Sequence, residues 1–174
     1  PDLTARPLFR PFMLAHPLEA PDTLEVEAYS AEWKWDGIRA MAVRVGAEVR
    51  LYSRDGNDIS RTFPEIAAAM QVEAVLDGEL LVRGEGSVAS FNAVQQRLGR
   101  KTVSAKMLAE YPVFLRCYDL LFDGRQDVRE APLSERRARL QQLVAGLDPD
   151  RFDLSPDLEA GSLEQLAELR ASPP

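Results

Sequence analysis

The 174 residues are 45% apolar and carry a net charge of −7. That is enough apolar content for one sizeable core. The balance excludes a broadly basic nucleic-acid footprint, so any such contact must come from a local patch. A single cysteine, Cys117, excludes an internal disulfide, and no apolar run reaches membrane-spanning length or reads as a signal segment, so a soluble cytoplasmic chain is expected.

Prolines at 1, 7, 11, 17 and 21 predict an extended lead-in over residues 1–23. Residues 29–36 read as a short strand. From Ile38, Ala40 and Ala42 alternate with Met41, Val43 and Val45. After Gly46-Ala47 a second alternating run, Val49 and Leu51, enters Tyr52-Ser53-Arg54, which predicts a β-hairpin. Asp55-Gly56-Asn57 marks a turn. Phe63-Pro64-Glu65 opens a short helix through about Met70. Ala74–Val82 reads as a strand. Ser90 is placed to cap a helix that runs to Leu98 and ends at Gly99, and Ser104–Glu110 is a second helical segment. Val113–Phe122 is a β-rich run closed by Asp123-Gly124. Pro132–Val144 reads as a helix with Ser134 as its cap, and Phe152–Leu154 as a short strand. Ser162 and Gln165 form an S-x-x-Q box for a last helix to Arg170. The expected fold class is α+β, mostly antiparallel sheets flanked by helices, in one domain over 1–174.

The segment Glu32-Trp33-Lys34-Trp35-Asp36-Gly37-Ile38-Arg39 carries the clearest chemical signal. Lysine occurs only at 34, 101 and 106, whereas arginine occurs 18 times. Lysine can lose its proton and act as a nucleophile; arginine effectively cannot. Flanking indoles are expected to exclude water from Lys34 and disfavour its ammonium form. Taken alone, a lysine among aromatic rings more often snorkels from a half-buried strand.

Four further segments follow in order. Ser53-Arg54-Asp55-Gly56 puts an arginine at a strand end, suited to phosphate. Asp77-Gly78-Glu79 puts two carboxylates on one strand face, which is costly unless a metal, a hydroxyl or an arginine meets them. An edge strand with solvated acids is the plainer alternative. Tyr118-Asp119 lies in Arg116–Gly124, where a core tyrosine is the common outcome. The stretch Ser90–Arg100 ends in a small basic cluster, Arg97, Arg100 and Lys101, which suits a DNA backbone or simply a solvated helix face.

Together these segments resemble the nucleotidyltransferase motifs of ligases and capping enzymes. The order K-x-D-G, S-R-x-G, D-G-E and aromatic-Asp, with the lead-in Arg10-Pro11-Phe12-Met13-Leu14-Ala15, is similar to the adenylation domain of bacterial ATP-dependent DNA ligases. The resemblance implies a nucleotidyltransferase fold and Lys34 as the nucleophile that takes AMP from ATP. It implies that Glu32, Trp33, Arg39, Arg54, Glu79 and Tyr118 bind nucleotide, with Tyr118 stacked on adenine and Glu32 at the adenine amino edge. Glu79 is implied as a ligand of Mg²⁺ or Mn²⁺, and Arg54, Arg97, Arg100 and Lys101 as DNA contacts. The resemblance further implies a bacterial, cytoplasmic monomer whose partner is a nicked duplex, in DNA repair or recombination. The family's later E-G and K-x-K segments and its OB-fold domain are not in the sequence, so an incomplete adenylation domain that does not seal nicks alone is expected. An RNA ligase or capping enzyme shares Lys34, Asp36 and Gly37. An NAD-dependent ligase also uses K-x-D-G, but its nicotinamide-binding extension and zinc module are not seen. A non-catalytic ligase-derived module is the remaining alternative.

Overall fold

The computed structural model describes residues 6–20, 23–100 and 102–174. After a short 3-10 turn at Val26–Ala28, the strands and α-helices of the described residues follow in order: β1 (Ala31–Glu32), β2 (Ile38–Val45), β3 (Glu48–Ser53), α1 (Pro64–Ala69), β4 (Ala74–Val82), α2 (Phe91–Gln95), α3 (Ala105–Glu110), β5 (Val113–Asp123), β6 (Gln126–Asp127), α4 (Leu133–Ala145), β7 (Phe152–Leu154), β8 (Asp157–Leu158) and α5 (Leu163–Ala171). They fall into two compact units. One comprises residues 1–12 and 36–154, the other residues 13–35 and 155–174.

The larger unit is built on a sheet ordered β3-β2-β4-β5-β6, antiparallel throughout, with β7 added parallel to β5. The β2–β3 hairpin turns at Gly46, whose φ of +58° lies in the left-handed region open to glycine. Period-2 alternation then gives the sheet two apolar faces. Ala40, Ala42, Leu51, Leu76, Leu80, Leu115, Cys117 and Leu120 face a core completed by Phe63, Ile66 and Met70 around α1, Val94 of α2, and Leu140 and Val144 of α4. Met41, Val43, Val75, Leu121 and Phe122 form the other cluster, packed against Phe9, Phe12 and Tyr52. The lead-in is fastened there by an edge-on Phe9–Tyr52 contact at 5.7 Å between ring centres and by the Tyr52 hydroxyl, which donates to the Pro7 carbonyl at 2.7 Å. The smaller unit holds the two-stranded β1–β8 ladder and α5. There the Ser162 hydroxyl accepts from Gln165 N–H at 3.2 Å, while Gln165 Oε1 reaches back to Gly161 N–H at 2.7 Å. The predicted box thus closes one residue further out than Ser162 itself.

Three local expectations change. The strand expected over 29–36 is reduced to Ala31–Glu32, the two residues that find partners in β8. The helix begun at Ser90 ends at Gln95 and continues as tight turns, Arg97 N–H to Val94 and Leu98 N–H to Gln95. Ser134 is not the cap of α4. Pro132 holds that position, with φ fixed near the helical value and no side-chain acceptor.

Arg97 is the largest fully buried side chain of the core. Its guanidinium meets both oxygens of Glu65, Nη1 to Oε1 at 2.7 Å and Nη2 to Oε2 at 2.9 Å, and donates to the carbonyls of Thr62 at 2.7 Å and Tyr111 at 3.0 Å. It ties α1 to the end of α3 from inside, so it is not a DNA contact. Arg100, by contrast, is exposed. Lys101 lies outside the described residues. Arg97→Met should cost about 3 kcal/mol in urea denaturation, because it leaves a carboxylate and two carbonyls unpaired. Arg100→Ala should cost under about 0.5 kcal/mol. Equal effects would contradict the buried-pair assignment.

Candidate nucleotidyl-transfer site

The acid pair of Asp77-Gly78-Glu79 sits on a central strand, since β4 runs between β2 and β5. The edge-strand alternative is therefore excluded, and the burial cost must be met within the sheet. It is met by Arg39, which β2 places opposite Glu79. Arg39 Nε donates to Asp77 Oδ1 at 3.2 Å and Nη2 to Oδ2 at 2.7 Å, a two-pronged pair on a carboxylate that is 1% exposed. The same guanidinium lies 4.7 Å from the ring centre of Phe12 and 5.6 Å from that of Tyr118. The Tyr118 hydroxyl donates to Glu79 Oε2 at 3.3 Å. Arg39, Asp77, Glu79, Tyr118 and Phe12 thus form one connected group.

The glycines between these residues are structural requirements. A Cβ on Gly37 would run into the Leu80 carbonyl oxygen and stand 2.9 Å from Glu79 Cγ. One on Gly78 would lie 2.5 Å from the Arg116 carbonyl oxygen. Only glycine lets the adjacent strands approach so closely. The Gly37 N–H also donates to Glu79.

Burial controls the charge of this group. It raises the Glu79 carboxyl to about 7, against opposing hydrogen bonds from Tyr118 and Gly37. It raises Asp77 to about 6, against the Arg39 pair. It also raises the Tyr118 hydroxyl, which stays a protonated donor. As for metal fit, both Asp77 oxygens are engaged by Arg39, and no group of three or more His, Cys, Asp or Glu side chains among the described residues is placed to hold an ion. Glu79 remains as a single half-buried carboxylate. That suits Mg²⁺, which takes one or two carboxylates and completes its shell with phosphate oxygens and water.

A family model described as ATP dependent DNA ligase domain matches residues 12–172. The chain belongs to this family. A probable DNA ligase of Koribacter versatilis is 40% identical over 160 residues, covering 88% of this chain and 28% of that protein. The ligase domain of Mycobacterium tuberculosis LigD superposes with a TM-score of 0.62 at 28% identity, over 82% of this chain and 44% of that one. A mycobacterial DNA ligase D complexed with ATP and MES gives 0.61 at 26%, with the same coverage. The fold is that of DNA ligase adenylation domains, α+β with a curled antiparallel sheet. The chain therefore spans under half the length of these ligases.

Within this ligase-family chain the remaining expected residues lie as follows. Lys34 belongs to the smaller unit and follows β1 in irregular chain. It is exposed, and Trp33 and Trp35 are only half-buried. The indoles therefore do not exclude water from Lys34, contrary to the expectation from their flanking positions. The Trp35 indole N–H is instead committed to Ser155 Oγ at 3.0 Å. Glu32 pairs in register with Asp157. Arg54 is exposed in the turn after β3. Three participants had escaped the sequence reading: Asp77 as the partner of Arg39, Phe12 as the ring over Arg39, and Arg136. Arg136 binds both oxygens of Asp119, at 2.8 and 3.0 Å. Arg136 shares a helical spacing with the buried Leu140 and Val144, so an arginine within the apolar stripe was its signal.

The titration of Glu79 has a consequence for stability. Its folded value lies above the ordinary carboxylate value near 4.5, so between about 4.5 and 7 the folded chain holds a proton that the unfolded chain releases. Stability from this group is present at low pH and lost as pH rises toward 7. In chelator-containing buffer, Glu79→Gln should gain stability relative to the unchanged chain between pH 5 and pH 8, read from denaturation midpoints. A difference independent of pH would contradict the raised value.

Proposed function

We propose that the chain carries the nucleotidyl-transfer chemistry of an ATP-dependent DNA ligase, with Lys34 as the nucleophile. The observation that carries the reading is the connected Arg39–Asp77–Glu79–Tyr118 group in a chain of this family, downstream of a K-x-D-G lysine. Lys34, as a neutral amine, attacks the α-phosphorus of ATP. A P–N bond forms as the bond to the bridging oxygen breaks, and pyrophosphate leaves. Tyr118 stacks on adenine, Glu32 and Trp33 border the base, and Arg39 and Glu79 hold ribose and nearby phosphate. Arg54 faces phosphate. Glu79 would hold Mg²⁺ or Mn²⁺, which would supply charge neutralisation to the transfer. AMP then passes to a DNA 5′-phosphate at a nick, and the 3′-hydroxyl displaces it.

Lys34 is exposed in irregular chain. The DNA contacts proposed are Arg54, Arg100 and Lys101. The whole protein is proposed to act on nicked duplex DNA as a cytoplasmic bacterial monomer in repair or recombination. Its unpaired, buried Cys117 suits a reducing compartment, and no helix of the described residues is long and apolar enough to cross a membrane.

The test is covalent labelling of the full-length protein with α-labelled ATP. Lys34→Arg should abolish the acid-labile, base-stable adenylate, a loss of at least about a thousandfold, while leaving the denaturation midpoint unchanged, because charge is kept and nucleophilicity is lost. Labelling near the unsubstituted level would remove Lys34 from the mechanism.

A further inference from the structure

β5 carries one residue more than β4 where Tyr118 lies. Asp77 faces Asp119 and Gly78 faces Cys117, so Tyr118 has no opposite residue. A bulge of this kind interrupts the ladder and re-aims a side chain. Its backbone needs support from elsewhere, and α4 provides it. Arg137 Nη1 donates to the Tyr118 carbonyl at 3.2 Å. Arg136, the neighbouring residue, grips both oxygens of Asp119 and donates through Nη1 to the Ala131 carbonyl at 2.5 Å. Asp119 Oδ1 also accepts the Leu120 N–H at 2.8 Å. Both arginines are buried, at 7% and 8% exposure. Two consecutive buried guanidinium groups on one helix are costly unless hydrogen bonds and opposite charge meet them. Here the Arg136–Asp119 pair and the Arg137 bond to the Tyr118 carbonyl meet at the two residues of the bulge.

We propose that Arg137, with Arg136 beside it, is a positioning residue for the nucleotide: the pair fixes the bulge that aims the Tyr118 ring at adenine. The inference rests on the stacking role of Tyr118 proposed above. It assigns α4 a part in ATP recognition that involves no contact with ATP. Arg136 also closes a buried ion pair, and its removal threatens the fold, so Arg137 is the cleaner probe. Arg137→Met keeps the aliphatic stem and removes the donor. Arg137→Lys keeps a donor.

The experiment is single-turnover adenylation of the full-length protein across a range of ATP concentrations. The half-saturating concentration does not depend on how much of a preparation is folded. Tyr118→Ala should raise it about tenfold, the size of losing one base–aromatic stack. Arg137→Met should raise it about threefold, since a re-aimed ring keeps part of its stacking, with the saturated rate little changed. Arg137→Lys should restore most of the loss. In the Tyr118→Ala background, Arg137→Met should add nothing, because Arg137 acts through that ring. The positioning role is overturned if Arg137→Met lowers the active fraction without moving the half-saturating concentration, or moves it equally when Tyr118 is absent. If Tyr118→Ala itself leaves ATP saturation unchanged, the stacking reading fails and the positioning role falls with it. If Tyr118→Ala matters and Arg137→Met does not, only the positioning role falls.

Discussion

The two-pronged contact between Arg39 and Asp77 is the constraint on which the rest of the site depends. Asp77 is almost wholly buried on a central strand, where an unmatched carboxylate would be expelled or protonated. Arg39 meets it from the adjacent strand, at a position fixed by the β2–β4 register. With two prongs on Asp77, the guanidinium plane is set, and Phe12 and Tyr118 lie against it. Tyr118 in turn bonds Glu79. A register slip of one residue in β2 would carry Arg39 to the opposite face and leave Asp77 without its cation. Register in the sheet and geometry in the site are therefore one constraint.

The glycines of the two motifs follow from the same packing. Gly37 immediately precedes β2 and Gly78 lies within β4 between the two acids, and a methyl group at either would strike a neighbouring carbonyl oxygen. Their role is to let strands approach so that Arg39, Asp77 and Glu79 come within bonding range. The turn glycines act differently. Gly46 and Gly124 lie at left-handed backbone angles with open space around them. The other surround of the site comes from the lead-in, whose Phe9 and Phe12 pack against the second apolar cluster.

Much of this was legible because period-2 alternation is strong in β2, β3 and β4, and helix starts are marked at Pro64, Ser104 and Ser162. The motifs were legible as an ordered set of residue types. What escaped was tertiary. Arg97 reads as one member of a basic cluster, yet Glu65, 32 residues away, draws it into the core. The two tryptophans read as a dry sleeve around Lys34, yet Trp35 turns to Ser155, 120 residues along the chain. The bulge at Tyr118 has no local signature, because it exists only as a mismatch of two strand counts. In each case the deciding partner is distant in sequence, and local pattern carries no record of it.

The central claim is that Arg39 and Asp77 act as one unit. A double-mutant cycle of Arg39→Met and Asp77→Leu, read by urea denaturation, tests it most directly. Each single substitution should cost about 3 kcal/mol or more, because it strands a desolvated charge. The double substitution should recover at least about 2 kcal/mol of the summed loss, since neither charge remains. Costs that simply add would contradict the account.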